Sequence, residues 1–141
     1  MIDTNTILRA YLAANAGIIA LVGSRIYCPR LPEGATLPAI SLFTRGGVPN
    51  PHIEKLQCPS VQIDCWAGDS IVARQVYRAV FDCLQGLQDA SITIGATTYY
   101  IKSAILEVDG QDIIDVDVLD KYNTKIQGYF RVLSFWQFMI H

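Results

Sequence analysis

The clearest pattern in this chain is a short alternating strand that runs directly into an amphipathic helix. In residues 60–67 apolar and polar side chains alternate, with Val61, Ile63 and Cys65 on one face, as in a half-buried strand. From residue 70 onward apolar residues recur at helical spacing, at positions Val72, Val76, Val80, Cys83, Leu84 and Leu87. Such spacing places them on one face of a helix. The pattern therefore predicts a strand and a helix that share one apolar core.

The flanking sequence predicts further helices and strands. Residues 4–14 and 16–22 have helical apolar spacing, and Asp3 or Thr4 and Asn15 are suitable N-caps. Strands are predicted at 37–43, 91–94, 97–108 and 125–138, with turns at 95–96 and 109–110 and either a strand or a loop at 113–120. The predicted fold class is α+β, one domain over residues 1–141. We expect a small, mostly antiparallel sheet with the N-terminal and central helices packed on one face.

Residues 44–59 predict a long projecting hairpin arm between two strands. The segment contains two glycines and three prolines and has no apolar pattern of its own. A loop of this length is commonly functional, although a solvated hairpin tip is the alternative. The arm is therefore a candidate contact surface. Its candidate contact residues are Arg45, Gly46, Gly47, His52, Glu54 and Lys55.

Composition favours an oligomer over a membrane protein or a nucleic-acid-binding protein. Apolar residues make up 51% of the chain and charged residues 17%, against about 25% charged in a typical soluble domain, so some apolar surface is expected at subunit contacts. No run of about 18 apolar residues exists, and residues 1–6 lack the pattern of a secretory signal. The net charge of −2 disfavours a surface that binds the phosphates of nucleic acids. The four cysteines form no CxxC pair and are expected to be reduced and structural.

Candidate chemistry is sparse, and the sequence predicts no catalytic residue, cofactor or metal. The acidic residues around Gly110 do not have the first and last carboxylates that a calcium loop requires at this spacing. The histidines and cysteines match no zinc spacing, and neither phosphate-binding glycine motif occurs. We interpret the acidic cluster as a solvated face or as the rim of an assembled pore. Its residues are Asp109, Asp112, Asp115 and Asp117.

Taken in order, these elements resemble the tail-completion, or tail-to-head joining, family of long-tailed bacteriophages, also called tail terminators. The resemblance rests on residues 8–43, where LRAYLAANAGIIALVG leads through RIY to the strand LPAISLF. It continues through residues 61–84, VQIDCWAGDSIVARQVYRAVFDCL, and ends with an acidic stretch, YNT and the strand YFRVLSFWQF at 129–138. The segment NPHIEKLQCP within the arm departs from the family pattern.

The resemblance implies a structural virion protein, not an enzyme. Such proteins form a ring, usually a hexamer, that caps the completed tail tube and joins the tail to the head connector while DNA passes through. The implied partners are the protein itself, the tail tube protein and the head-completion or connector protein. DNA would pass without sequence-specific binding, and assembly would take place in the host cytoplasm before incorporation into the virion.

Two further implications concern the candidate surfaces. The arm would meet a neighbouring subunit or the tail tube, with strand addition as one mode. The acidic cluster would line the ring and repel DNA during its passage. The alternatives are another neck or connector component of the same particle, or a small cytoplasmic enzyme or ligand-binding domain.

Overall fold

The computed structural model describes residues 2–114, 118–119, 125–127 and 129–141, with backbone alone at Ile114 and in the two short middle segments. Helices are α1 (Thr4–Ala13), α2 (Ala16–Val22) and α3 (Ser70–Leu84). Strands are β1 (Ile26–Tyr27), β2 (Ala39–Gly47), β3 (Pro59–Ala67), β4 (Gln88–Ile94), β5 (Thr97–Ile114), β6 (Val118–Leu119), β7 (Lys125–Gln127) and β8 (Phe130–Ile140). The α+β content agrees with the prediction from the sequence.

Each helix begins at a side-chain cap. The Asp3 carboxylate accepts a hydrogen bond from the amide of Asn5 at 3.1 Å. The Asn15 side chain accepts one from the amide of Ile18, and the Asp69 carboxylate accepts one from the amide of Ile71, both at 3.1 Å. These bonds satisfy amide groups that have no partner inside the helix. The helices predicted at 4–14 and 16–22 are therefore confirmed within one residue, and the helix predicted from residue 70 is confirmed but ends at Leu84, before the predicted Leu87.

The main sheet has the strand order β1-β2-β3-β8-β5-β4. The two-residue strand β1 pairs with β2 in parallel, and the other neighbouring strands of this sheet pair antiparallel. Strands β6 and β7 form a separate pair. The last strand, β8, thus lies in the middle of the sheet, between β3 and β5.

The helices cover one face of this sheet, here called the inner face. On that face the alternating residues of β3 and β8 are buried, and the ring of Trp136 lies 6.3 Å from the ring of Phe81 on α3. The indole N–H of Trp136 donates to the hydroxyl of Ser134 at 3.0 Å, which keeps this polar group satisfied inside the core. The predicted alternation of residues 60–67 is confirmed, since Val61, Ile63 and Cys65 all belong to the core.

The turn predicted at residues 109–110 is wrong, because β5 continues through it to Ile114. The pairing of β5 with β8 shifts register between Val108 and Gln111, so the irregularity is absorbed as a bulge inside the strand. The backbone of Gly110 lies close to α3, where a Cβ would come within 2.7 Å of the Tyr77 ring. Asp109 and Gly110, a pair that commonly predicts a turn, form here the point at which β5 packs closely against α3.

Three predicted strand bounds also change. Residues 44–47 continue β2, so the connection between β2 and β3 is shorter than predicted and spans 48–58. The strand predicted at 125–138 is divided into β7 and β8, which belong to different sheets. Strand β4 begins at Gln88, before the predicted residue 91, and of the segment 113–120 the structure describes strand at 113–114 and 118–119.

Within the described ranges no single helix is long and apolar enough to cross a bilayer. Helices α1 and α2 meet these criteria when taken together, and they are bent by 86° at their junction.

Candidate assembly interface

The glycines at the base of the β2–β3 connection (residues 48–58) act through the backbone. Gly47 pairs with Pro59 and has a φ of 134°, a region that L side chains rarely adopt. A Cβ at Gly47 would lie 2.1 Å from the backbone oxygen of Cys58. Gly46 also has a positive φ, 112°, but has open space around it. Of these two predicted contact residues, Gly47 is required for the two strands to approach each other.

Arg45 belongs to β2 rather than to the connection. Its guanidinium lies over the ring of Phe135 on β8, 3.8 Å from the centroid. This cation–π contact holds Arg45 against the sheet face opposite the helices, here called the outer face. Arg45 therefore lies in β2 with Gly46 and Gly47, apart from His52, Glu54 and Lys55.

The rest of the connection divides into an exposed tip and an anchored end. The tip comprises residues 48–55, all of them exposed, and contains the predicted contact residues His52, Glu54 and Lys55. Val48 is 77% exposed and Ile53 is 49% exposed, which is unusual for large apolar side chains. At the anchored end Leu56 is buried, and the next residue exchanges two backbone hydrogen bonds of 2.8 Å with the end of β8. The tip is thus held at a fixed base while its side chains face solvent.

The predicted acidic cluster is partly neutralised by α3. Arg74 donates to both oxygens of Asp112, at 2.9 and 3.0 Å, and to the carbonyl of Gly110 at 3.0 Å. The Tyr77 hydroxyl donates to the Asp109 carboxylate and accepts from the Gly110 amide at 2.9 Å. The structure brings these two aspartates together on β5. The other two predicted members, at 115 and 117, lie outside the described residues.

The pKa values of Asp109 and Tyr77 are both shifted where these two side chains meet. The hydrogen bond from Tyr77 lowers the pKa of the Asp109 carboxyl, since it favours the ionised form. Burial, reinforced by the hydrogen bond to Asp109, raises the pKa of Tyr77 to about 12. Near neutral pH the donor stays protonated and the acceptor stays ionised. The pair is therefore a stable link between α3 and β5.

A surface groove runs along α3 beside β5, and is here called the α3–β5 groove. Strand β4 pairs with β5 as far as Ser103, so beyond that residue β8 is the partner of β5 among the described strands. The groove lies at this uncovered part of β5. Its lining residues are Ile71, Arg74, Arg78, Phe81, Ile105 and Asp109. Apolar surface is available there, because Ile71 is 66% exposed and Ile105 is 60% exposed.

The outer face of the sheet also presents apolar side chains. Register places Val108 of β5 beside Phe135 of β8, with Ile105 and Met139 on the same face. Ile105, Val108 and Met139 are all classed as exposed, and Phe135 is half-buried. Clusters of exposed apolar residues of this kind mark interaction surfaces more often than isolated ones do.

The described residues offer no arrangement typical of catalysis. They contain no group of three histidine, cysteine, aspartate or glutamate side chains placed to hold a metal ion. Burial raises the pKa of the Cys65 thiol well above its usual range, which suppresses the thiolate needed for nucleophilic chemistry. What the described residues do present is exposed apolar surface, on the outer face, in the groove and on the tip of the connection.

Sequence reasoning did not find the α3–β5 groove or the outer face. Residues 129–138 did contain a signal for the outer face. Apolar residues occur there at both odd and even positions, and therefore on both faces of the strand. The groove depends on where β4 ends relative to β5, and no sequence signal indicated that point.

A family model described as Tail completion protein gp17 matches residues 6–121 of this chain. A comparison with the curated proteins found no match.

Proposed function

Because this chain belongs to the tail-completion family of bacteriophage proteins, and is thus a structural component of the phage tail, we propose that it forms a ring that closes the tail tube. In this proposal the ring is a hexamer, as the family resemblance implies. One side of the ring caps the tail tube protein and the other docks to the head-completion or connector protein. DNA passes through the ring without sequence-specific binding.

The observation that supports assembly is the uncovered apolar outer face. All described helices pack on the inner face, so Val108, Ile105 and Met139 remain exposed on a chain of 141 residues. Burial of such side chains contributes roughly 25 cal/mol for each Å² removed from water. A protein that stays monomeric would gain nothing from this exposed apolar surface, whereas a subunit of an oligomer would bury it at a contact.

The exposed tip of the β2–β3 connection supports a second contact. We expect it to work as an arm that reaches a neighbouring subunit or the tail tube. Its anchored end, where Leu56 is buried, fixes the direction in which the tip leaves the sheet. A fixed base lowers the entropy that the tip loses on binding.

We further propose that the acidic segment 109–117 faces the lumen of the ring. Carboxylates there would repel the phosphates of the passing DNA. Arg74 offsets the charge of Asp112, so the repulsion would depend on the remaining aspartates. An assembled structure with Asp112 on the outer rim would contradict this orientation.

The experiment that tests the ring is light scattering on the purified protein, with and without isolated tail tubes, followed by negative-stain imaging. Rings in solution or on tube ends are expected. A Val108→Asp variant should assemble less, because it places a charge on the outer face, while Ser91→Asp, a change at an exposed polar position of β4, should assemble normally. A monomer that ignores tubes would refute the proposal. Binding to heads in place of tubes would favour another neck component.

A further inference from the structure

The exposed tip of the β2–β3 connection and the α3–β5 groove are two distinct surfaces with matching chemistry. The tip carries Val48 and Ile53 as exposed apolar side chains, followed by the adjacent charges of Glu54 and Lys55. An apolar segment of this kind needs a partner surface that is itself apolar and that also offers charged groups of both signs.

The α3–β5 groove has that composition. Ile71 supplies exposed apolar surface, and Phe81 lines the groove further along α3. Arg78 stacks on the ring of Phe81, 4.8 Å from its centroid, and its Nε lies 3.4 Å from a carboxylate oxygen of Asp82. Apolar residues and Arg78 thus line the groove, and Asp82 lies beside Arg78 on α3.

Arg78 is the cation of the groove that can best accept a new partner. The other groove cation, Arg74, is already held by two oxygens of one carboxylate and by a backbone carbonyl. The side chains of Arg78 and Asp82 are 68% and 64% exposed, and an exposed pair four residues apart on a helix is weak. Glu54 could therefore bind Arg78, and Lys55 could bind Asp82, at little cost to the subunit itself.

The tip does not fill the groove of its own subunit. None of residues 48–55 lines that groove, and Lys55 lies instead beside Thr97–Tyr100 at the start of β5. The backbone hydrogen bonds between Gln57 and Ile140 anchor the tip next to the end of β8. The groove is therefore open to an occupant from another molecule.

We propose that the tip of one subunit, residues 48–55, docks into the α3–β5 groove of a second copy of this chain. Ile53 then contacts the apolar surface of Ile71, and Glu54 forms an ion pair with Arg78. Because tip and groove are different surfaces, the contact is heterologous, and a heterologous contact generates a ring when its repeated rotation closes on itself. This inference rests on the proposed ring and names the contact that builds it.

The test is a charge exchange between the two surfaces in the full-length protein. Glu54→Arg and Arg78→Glu should each lower the affinity of ring assembly roughly tenfold or more, because each places like charges opposite each other. The double variant should return to within about threefold of the wild type, since it restores opposite charges. Glu33→Arg, at an exposed position far from both surfaces in sequence, is the matched control and should assemble like the wild type.

Assembly is measured by light scattering over a concentration series with tail tubes present, and folding is checked by thermal melting. Both positions are exposed, so the melting curves should match the wild type; if one charge reversal impairs folding, Glu54→Gln and Arg78→Gln replace the reversals. Single variants that assemble like the control, or a double variant as weak as the singles, would overturn the docking contact and leave the ring intact. A wild type that never forms rings would overturn both.

Discussion

Substitution of Gly110 by alanine is expected to destabilise the fold through one collision. The added Cβ would lie 2.7 Å from two ring atoms of Tyr77 and 2.9 Å from a guanidinium nitrogen of Arg74. Arg74 is a flexible side chain and can move away. The ring of Tyr77 is buried and cannot, so either it or the strand must shift. Overpacking of this kind costs about 1–3 kcal/mol.

The shift also disturbs a hydrogen bond. The Gly110 amide donates to the Tyr77 hydroxyl at 2.9 Å, and a neutral bond of this type contributes about 1 kcal/mol. The expected loss in the free energy of unfolding is therefore about 2–4 kcal/mol. For a domain of this size that corresponds to a decrease in Tm of roughly 6–14 °C. Thermal melting by circular dichroism and urea unfolding by tryptophan fluorescence both measure it.

Two controls decide whether the collision is the cause. Gly68→Ala adds the same methyl group where nothing lies within 4 Å, and should change stability by less than about 0.5 kcal/mol. Tyr77→Leu removes the ring atoms in question, so Gly110→Ala should cost much less in that background. Two results would refute this reasoning: a loss of stability in Gly110→Ala as small as that in Gly68→Ala, or an equal loss from Gly110→Ala in the Tyr77→Leu background. Either would mean that the close approach of β5 to α3 does not require glycine at position 110.

Four further outcomes are expected. Gly47→Ala should cost about 3 kcal/mol or more, because its Cβ meets a backbone oxygen at 2.1 Å, whereas Gly46→Ala meets open space and should cost clearly less in the same urea titration. The lowered pKa of Asp109 stabilises the fold at neutral pH, and this stabilisation should be lost as pH falls below about 4; Asp109→Asn should flatten that acid limb of the unfolding curve. Because the pKa of Tyr77 is raised to about 12, stability should also fall as pH rises from about 10 to 12, and Tyr77→Phe should lose less over that range. The Cys65 thiol should resist alkylation in the folded protein and react on unfolding, since it is fully buried, and rapid labelling under native conditions would contradict that burial.

The helices and the strand that precedes α3 could be predicted because their signals are local. A capping residue such as Asn15 or Asp69 acts on amides within three residues, and apolar spacing reports one face of one element. The turn at 109–110 was predicted wrongly because the same two residues also fit a turn. The contact that decides between the two outcomes joins residues 77 and 110, and no local pattern contains it.

The candidate interface was also predictable only in part from the sequence. Glycine and proline between two strands were enough to predict an exposed connection, because those residues do not continue a paired strand. The α3–β5 groove exists because β4 stops pairing at Ser103 while β5 continues to Ile114. Relative strand lengths depend on pairing between distant segments, so the sequence alone did not indicate the groove.

The central place of β8 has a consequence for synthesis of the protein. Strands β2 and β3 form one hairpin and β4 and β5 form another, and β8 pairs with β3 on one side and β5 on the other. Both hairpins leave the ribosome before the strand that joins them. Until β8 arrives, each keeps an unpaired edge that could recruit another nascent chain. A chain that stops before residue 130 would lack the middle of its sheet, so incomplete copies should aggregate or be degraded and would not enter the growing particle.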